Sequence, residues 1–201
     1  ESWMYGRSLE NYDYNFSWAK WITPSRDLIK DFESENDTTR LNQTLVYYAC
    51  KWSNYYPASK YPFMYKCRSG YNNQYKLRLA DIILLEAEAY AYKGDNTNSA
   101  ALVNLIRNRA KLPNLTADKT ATKDAMIEAV LHERRLELAL EGERWYDLCR
   151  NNKVEESLNG LNNRDSGRLI QRKPYDANSY LLPIPQSALD ENSKLQQNPG
   201  Y

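Results

Sequence analysis

The sequence has little cysteine, histidine and glycine, and no excess of either charge. Its three cysteines, Cys50, Cys67 and Cys149, are an odd number without CxxC spacing, which argues against a disulfide framework and a zinc site. A disulfide between Cys50 and Cys67 is one alternative, but the pattern favours free buried thiols. With 27 basic and 26 acidic residues the net charge is +1, so no global field attracts nucleic acid or an anionic membrane.

Long apolar runs and nucleotide or catalytic motifs are also missing. No run approaches the roughly 20 apolar residues of a membrane-spanning helix, and the opening "ESWMYGRSLE" lacks the order of a signal peptide. We therefore expect no targeting signal in this chain. Neither GxGxxG, a P-loop, GxSxG nor an EF-hand loop occurs. The sequence predicts no cofactor and no metal.

The aromatic residues are concentrated in the first part of the chain. Of 25 Phe, Trp and Tyr residues, 18 lie before residue 76. The length of 201 residues suits one domain, and we expect a single domain over 1–201. Its predicted parts are an aromatic-rich loop region at 1–76, a helical hairpin at 77–113, a long charged helix at 120–151, and an extended segment with a short helix at 175–201.

Two adjoining segments show helical spacing of apolar residues. "LRLADIILLEAEAYAYKG" ends at Gly94, a suitable C-terminal cap, and "DNTNSAALVNLIRNRAKLP" begins with capping residues and ends before Pro113. The short turn and the small residues Ala87, Ala91 and Ala100 are typical of a tetratricopeptide-like hairpin. Such a hairpin cannot bury both of its faces alone, so the pattern predicts a mainly α-helical fold with little β structure.

The string "HERRLELALEGERWYDLCR" predicts one amphipathic helix that carries charges within its apolar face. On a helical wheel, Arg134 and Glu141 fall on the face of Ile127, Val130 and Leu138, where an unpaired charge would be costly. Residues three or four apart on a helix can pair. We therefore predict a structural ion network across helices, formed by Arg78, Asp81, Glu88, Arg134, Glu137, Glu141 and Arg144. Trp145 is expected in the core.

The same string contains the only histidine, which suggests an acid/base centre at first sight. On the wheel His132 lies about 160° from Arg134 and points away from Glu137 and Glu141, so those carboxylates cannot orient it as a base. A second histidine for an HExxH zinc motif does not exist. Glu137 and Glu141 have a spacing that suits a glycosidase, but neighbouring arginines would lower their pKa values. We expect no catalytic residue.

The order of the motifs resembles the C-terminal half of a SusD/RagB-type outer-membrane lipoprotein. The strings that carry the resemblance are "TPSRDLIKDFESENDTTR" (23–40), "LRLADIILLEAEAYAYKGDNTNSAALVNLIRNRA" (77–110), "HERRLELALEGERWYDLCR" (132–150) and "YLLPIPQSALDENSKLQQNPGY" (180–201). The resemblance implies a mostly helical protein of the Bacteroidetes cell surface. Such a protein binds glycan without hydrolysing it and delivers it to a SusC-like, TonB-dependent transporter, and its N-terminal lipid anchor would precede this chain.

In that family, glycans rest on aromatic side chains in loops that precede the last helical hairpin, which is where the rings concentrate here. Flat rings stack on the C–H faces of sugars, and sugar hydroxyls need polar partners. The resemblance thus implies Trp52, Tyr55, Tyr56 and Tyr61 as platforms, with Asn54 and Arg68 as hydrogen-bonding neighbours. The alternative function is a helical-repeat module that binds only protein, in which the rings would turn into the core.

Overall fold

The fold is described from a computed structural model, over residues 24–49, 56–57, 59–66, 76–160 and 174–201. The chain divides into two compact units, Glu1–Glu143 and Arg144–Tyr201. The prediction of a mainly α-helical fold is confirmed, with one two-stranded sheet among the described residues. None of the described helices is both long enough and apolar enough to cross a membrane.

In the first unit, short helices and a sheet precede three longer helical elements. In chain order the elements are α1 (Arg26–Ser34), α2 (Thr38–Thr44), β1 (Leu45–Tyr48), β2 (Tyr61–Met64), α3 (Leu79–Tyr92), α4 (Asn96–Arg109), α5 (Ala117–Thr120) and α6 (Lys123–Glu137). Side chains cap several of the helices: Ser25 accepts a hydrogen bond from the Leu28 amide at 3.1 Å, and Asp37 accepts one from the Arg40 amide at 3.1 Å.

The predicted hairpin is present as α3 and α4. Gly94 ends α3 with a positive φ of 79°, and Asp95 caps α4 by accepting a hydrogen bond from the Asn98 amide at 3.1 Å. Small residues let the two helices approach closely: the Ser99 hydroxyl donates to the Ala87 carbonyl at 2.7 Å. Both helices pack against α6, so the apolar stripe of each one is covered. The main core comprises Ala80, Leu84, Ala87, Ala91, Val103, Ile106, Met126, Ile127, Ala129, Val130 and Leu131.

The sheet is an antiparallel ladder of β1 and β2. Its register pairs Leu45 with Met64 at one end and Tyr48 with Tyr61 at the other. One aromatic cluster packs beside the ladder and combines Ile29, Leu45, Tyr56, Tyr61 and Phe63. The chain between β1 and β2 therefore starts and ends at the Tyr48–Tyr61 end of the ladder.

The prediction of a single helix over 120–151 is wrong. The segment starts at the last residue of α5 and contains two helices, α6 and α7 (Arg144–Arg150), with a turn between them. In that turn Leu140 and Gly142 have positive φ values of 66° and 98°, which a right-handed helix does not accommodate. Residues after Glu137 therefore do not continue the helical wheel of α6.

The second unit contains α7, α8 (Val154–Leu158), a 3₁₀ turn at Ala177–Tyr180 and α9 (Gln186–Glu191). Side chains near the C-terminus bond to the backbone of "YLLPIP": Gln197 both donates to the Ile184 carbonyl at 2.9 Å and accepts from its amide at 2.8 Å. Pro183 and Pro185 have no backbone N–H and cannot donate hydrogen bonds to a neighbouring strand. The Gln197 side chain therefore bonds to this segment where a strand would otherwise pair with it. Trp145, predicted in the core, is instead half-buried and tilted against Tyr175 at 6.0 Å.

Candidate functional site

Two of the four rings predicted as sugar platforms are buried. Tyr56 is 7% exposed and Tyr61 is 1% exposed, which leaves neither ring face available to a ligand. Their ring centroids lie 5.3 Å apart in an edge-on arrangement, and Phe63 lies 5.2 Å from Tyr61. The assignment of Tyr56 and Tyr61 as platforms is therefore wrong, because both rings are part of the core beside the ladder.

The remaining predicted glycan residues, Trp52, Asn54, Tyr55 and Arg68, lie outside the described residues. The structure does fix the chain on either side of the first three. On one side the Tyr48–Tyr61 pair closes the ladder, and on the other the Tyr56 hydroxyl donates to the Pro24 carbonyl. The described residues on both sides of 50–55 are therefore held by contacts within the first unit.

A network of buried ion pairs is centred on Glu133 of α6. The Glu133 side chain is fully buried. Its two oxygens accept hydrogen bonds from Arg40 at 2.6 Å and from Arg107 at 3.0 Å. Arg40 also pairs with Asp37, and Arg107 pairs with Glu35 at 2.8 Å. One carboxylate thus joins α2 and α4 to α6.

The second part of the network surrounds Glu137 at the end of α6. Arg78 donates to its carboxylate at 2.7 Å, Arg109 also pairs with it, and Arg40 lies 3.5 Å away. Glu141 pairs with Arg78 at 2.6 Å and with Lys66. The cations come from α2, from α4, from Lys66 two residues after β2 and from the residue before α3, so the network joins the helices to described residues that flank the aromatic-rich region.

The structure pairs several of the predicted network residues with each other. Arg78 contacts both Glu137 and Glu141, and Arg134 lies 2.8 Å from Asp81. Glu88 is buried on α3. Arg144 begins α7 in the second unit rather than continuing α6.

The sequence analysis missed seven members of the network: Glu35, Asp37, Arg40, Lys66, Arg107, Arg109 and Glu133. Glu133 follows His132 and lies about 100° from Arg134 on the wheel, off the predicted stripe. However, α6 is buried on several sides: Glu133 and Arg134 are buried, as are Leu136 and Glu137. The signal in the sequence was that the second half of α6 mixes apolar and charged residues, so that no side of this part of the helix is wholly polar. The positions of Arg40, Lys66 and Arg107 depend on long-range packing that the spacing does not report.

The electrostatics of Glu137 do not suit a catalytic acid. Burial by itself raises the pKa of Glu137, but hydrogen bonds from Arg78 and Arg109 outweigh it and hold that pKa below its ordinary value. A general acid of a glycosidase needs a raised pKa. His132 does not face these carboxylates, since its Nε2 lies 3.2 Å from Glu35 on α1's C-terminal side. Within the described part of the chain, no cluster of metal-ligating side chains occurs.

The lowered pKa of Glu137 predicts a particular dependence of stability on pH. A carboxylate whose pKa in the folded protein lies below its ordinary 4.5 stabilises the fold above that pH, and the contribution is lost as the pH falls through the folded-state pKa. Glu137→Gln lacks this contribution at every pH. We therefore expect the stability difference between wild type and Glu137→Gln to shrink from neutral pH to about pH 3 in urea denaturation.

Glu86→Gln, at an exposed position on α3, is the matched control for this experiment. Its stability should stay close to that of wild type throughout the range, because surface substitutions change stability by only about 0.5 kcal/mol. A constant gap between wild type and Glu137→Gln down to acid pH would contradict the assignment of Glu137 as an ionised partner of Arg78 and Arg109.

Comparison with known proteins identifies the sequence family. The family model described as the SusD family matches residues 3–201. SusD-like protein P38 of Formosa agariphila is 36% identical over 130 residues, which cover 62% of this chain and 24% of the relative. This chain therefore spans about a quarter of that relative's length.

Solved structures agree with this fold. A SusD superfamily protein from Bacteroides vulgatus is 25% identical, with a TM-score of 0.70, over 89% of this chain and 44% of that one. A candidate sugar-binding protein from the same species is 28% identical, with a TM-score of 0.63, over 88% of this chain and 39% of that one.

Proposed function

The chain belongs to the SusD family, and from this premise we propose that it binds glycan at the bacterial cell surface without hydrolysing it. The observation that carries the proposal is the family match over residues 3–201. A similar structure described as a candidate sugar-binding protein supports the ligand class. The partner we propose is a SusC-like, TonB-dependent transporter of the outer membrane, and the attachment we propose is a lipid anchor on the full-length protein.

The proposed contacts with glycan are made by Trp52, Tyr55, Asn54 and Arg68. Trp52 and Tyr55 offer flat apolar faces for the C–H surface of sugar rings, while Asn54 and Arg68 offer donors for the hydroxyls. The contacts of the flanking residues support this choice, because Trp52, Asn54 and Tyr55 lie in sequence between two points held by the fold, the Tyr48–Tyr61 pair and the Tyr56–Pro24 hydrogen bond. The burial of Tyr56 and Tyr61 supports a role for those two rings in the core beside the ladder.

The ion network supports a binding role over a catalytic one. Retaining and inverting glycosidases need one carboxyl group that is protonated near neutral pH. Glu137 is held ionised by Arg78 and Arg109, and Glu141 is paired with Arg78 and Lys66. A protonated Glu137 would lose the charge that pairs it with Arg78 and Arg109, so this carboxylate does not suit the role of general acid.

Replacing Trp52 or Tyr55 by alanine is expected to weaken glycan binding about tenfold for each ring, since an aromatic contact is worth about 1.5 kcal/mol. Calorimetry of the purified protein against a panel of polysaccharides measures the affinity. Tyr146→Ala, which removes a ring that is 64% exposed on α7, is the control and should leave the affinity unchanged. Equal affinities of wild type, Trp52→Ala and Tyr55→Ala would exclude these rings as platforms.

A further inference from the structure

Two exposed cations lie at the end of the ladder that contains Tyr61. Lys60 immediately precedes Tyr61, and the Lys60 amide donates to the Pro57 carbonyl at 2.9 Å. The Arg26 guanidinium lies over the Tyr56 ring, 5.8 Å from its centroid, and the Tyr56 ring contacts the Tyr61 ring at 5.3 Å. Both cationic side chains are exposed. This end of the ladder therefore carries positive charge beside two buried rings.

The position of Arg26 is fixed by the ring beneath it. Tyr56 is 7% exposed, and its hydroxyl donates to the Pro24 carbonyl, so its ring is a fixed part of the core. An aromatic face attracts a guanidinium within about 6 Å, which holds the Arg26 side chain against this ring. Lys30 follows Arg26 by one turn and is also exposed. Two like charges four residues apart slightly destabilise a helix, so the folding of α1 does not explain their placement.

Lys60 differs from most of the other described cations in its part of the sequence. Between residues 38 and 80 the sequence has seven basic residues and no Asp or Glu. Three of these cations, Arg40, Lys66 and Arg78, pair with glutamates of the ion network. Lys60 forms no ion pair with any residue that the structure describes. Its charge is therefore not used by the fold and can serve a ligand.

We propose that the glycan is acidic, and that Arg26 and Lys60 contact its carboxylate or sulfate groups. This proposal rests on the proposed function, because it names the class of glycan that the protein binds. A guanidinium offers paired N–H donors that match the oxygens of such groups, and an ammonium group acts as a compact point charge. Two cations at one end of the ladder suit a polymer that carries anionic groups on several of its sugar units.

Calorimetry against acidic and neutral polysaccharides tests the class of ligand. Polygalacturonate carries carboxylates and dextran sulfate carries sulfates, whereas dextran and starch are neutral. We expect the wild-type protein to bind at least one acidic polymer about tenfold more tightly than either neutral one, because opposite charges add favourable contacts. Raising the salt concentration from about 0.05 to about 0.5 M should weaken that binding several-fold, since salt screens exposed charges.

A double variant of the two cations tests the site itself. Arg26→Gln/Lys60→Gln should weaken binding of the acidic polymer about tenfold and reduce its dependence on salt. Both side chains are exposed, so the variant should keep a stability close to that of wild type in urea denaturation. Lys93→Gln/Lys119→Gln is the matched control, because it removes two exposed positive charges at other positions and changes the net charge equally. Its affinity should stay within about twofold of wild type.

Binding of dextran or starch without a preference for the acidic polymers would overturn the proposal and leave the proposed function standing. Unchanged affinity of Arg26→Gln/Lys60→Gln for the acidic polymer would exclude these two side chains as its contacts. An equal loss of affinity in that variant and in Lys93→Gln/Lys119→Gln would show attraction by overall charge only, and would also overturn the proposal. A wild-type protein that binds no polysaccharide, acidic or neutral, would contradict the proposed function together with this proposal.

Discussion

Replacing Glu133 by alanine is expected to lower the free energy of unfolding by about 3–5 kcal/mol, a large part of the stability of a domain of this size. The Glu133 carboxylate is fully buried and joins Arg40 of α2 to Arg107 of α4. Without this carboxylate, the buried guanidinium groups of Arg40 and Arg107 each lose one acidic partner. Urea denaturation of wild type and Glu133→Ala measures the difference.

The control for Glu133→Ala is Glu86→Ala, at an exposed position on α3. It makes the same chemical change at the surface and should alter the stability by no more than about 0.5 kcal/mol. Similar stabilities of Glu133→Ala and Glu86→Ala would show that the network does not hold α2, α4 and α6 together.

A double-mutant cycle separates the Arg40–Glu133 pair from the rest of the network. Because the two side chains are in direct contact at 2.6 Å, the combined loss in Arg40→Met and Glu133→Leu should be smaller than the sum of the single losses. The coupling we expect is at least about 1 kcal/mol. Additive effects would mean that Arg40 and Glu133 stabilise the fold independently.

Tyr61→Ala is expected to lower the free energy of unfolding by about 3–5 kcal/mol, the usual cost of truncating a buried aromatic residue. The ring is 1% exposed and packs between Tyr56 and Phe63. Tyr61→Phe keeps the ring and should retain most of the stability and all of the glycan affinity. Thermal or urea denaturation measures the first quantity, and calorimetry measures the second.

The two variants of Tyr61 also decide between burial and ligand contact. If the ring were an exposed sugar platform, Tyr61→Ala would fold normally and lose only affinity. A stable Tyr61→Ala protein with reduced affinity would therefore contradict the structure at this position. An unstable Tyr61→Ala protein, together with a stable Tyr61→Phe protein, would confirm the aromatic cluster as part of the core.

The hairpin could be predicted from the sequence because its determinants are local. Gly94 and Asp95 mark the turn within three residues of the helices that they end and begin, and the small residues lie where the helices cross. The end of α6 was harder to predict. The residues "LELALE" favour a helix, and the only local sign of a break is Gly142; the left-handed conformation of Leu140 has no sequence signal of its own.

The site was less predictable than the fold. Tyrosine is amphipathic, so composition does not distinguish the buried rings of Tyr56 and Tyr61 from rings that face a ligand. Members of the ion network were foreseen where they lie within or beside the apolar stripe of a predicted helix, as Arg78 does in the hairpin and Glu137 in the charged string. Arg40 lies 93 residues from Glu133, and no periodicity of α6 reports a partner at that separation.

Calorimetry of the wild-type protein against a panel of purified polysaccharides, followed by a reducing-end assay of the same mixtures, tests the central claim most directly. The account predicts saturable binding of at least one polysaccharide, with no reducing ends released above the protein-free control. Release of reducing ends that is lost in Glu137→Gln, or no binding to any polysaccharide of the panel, would contradict it.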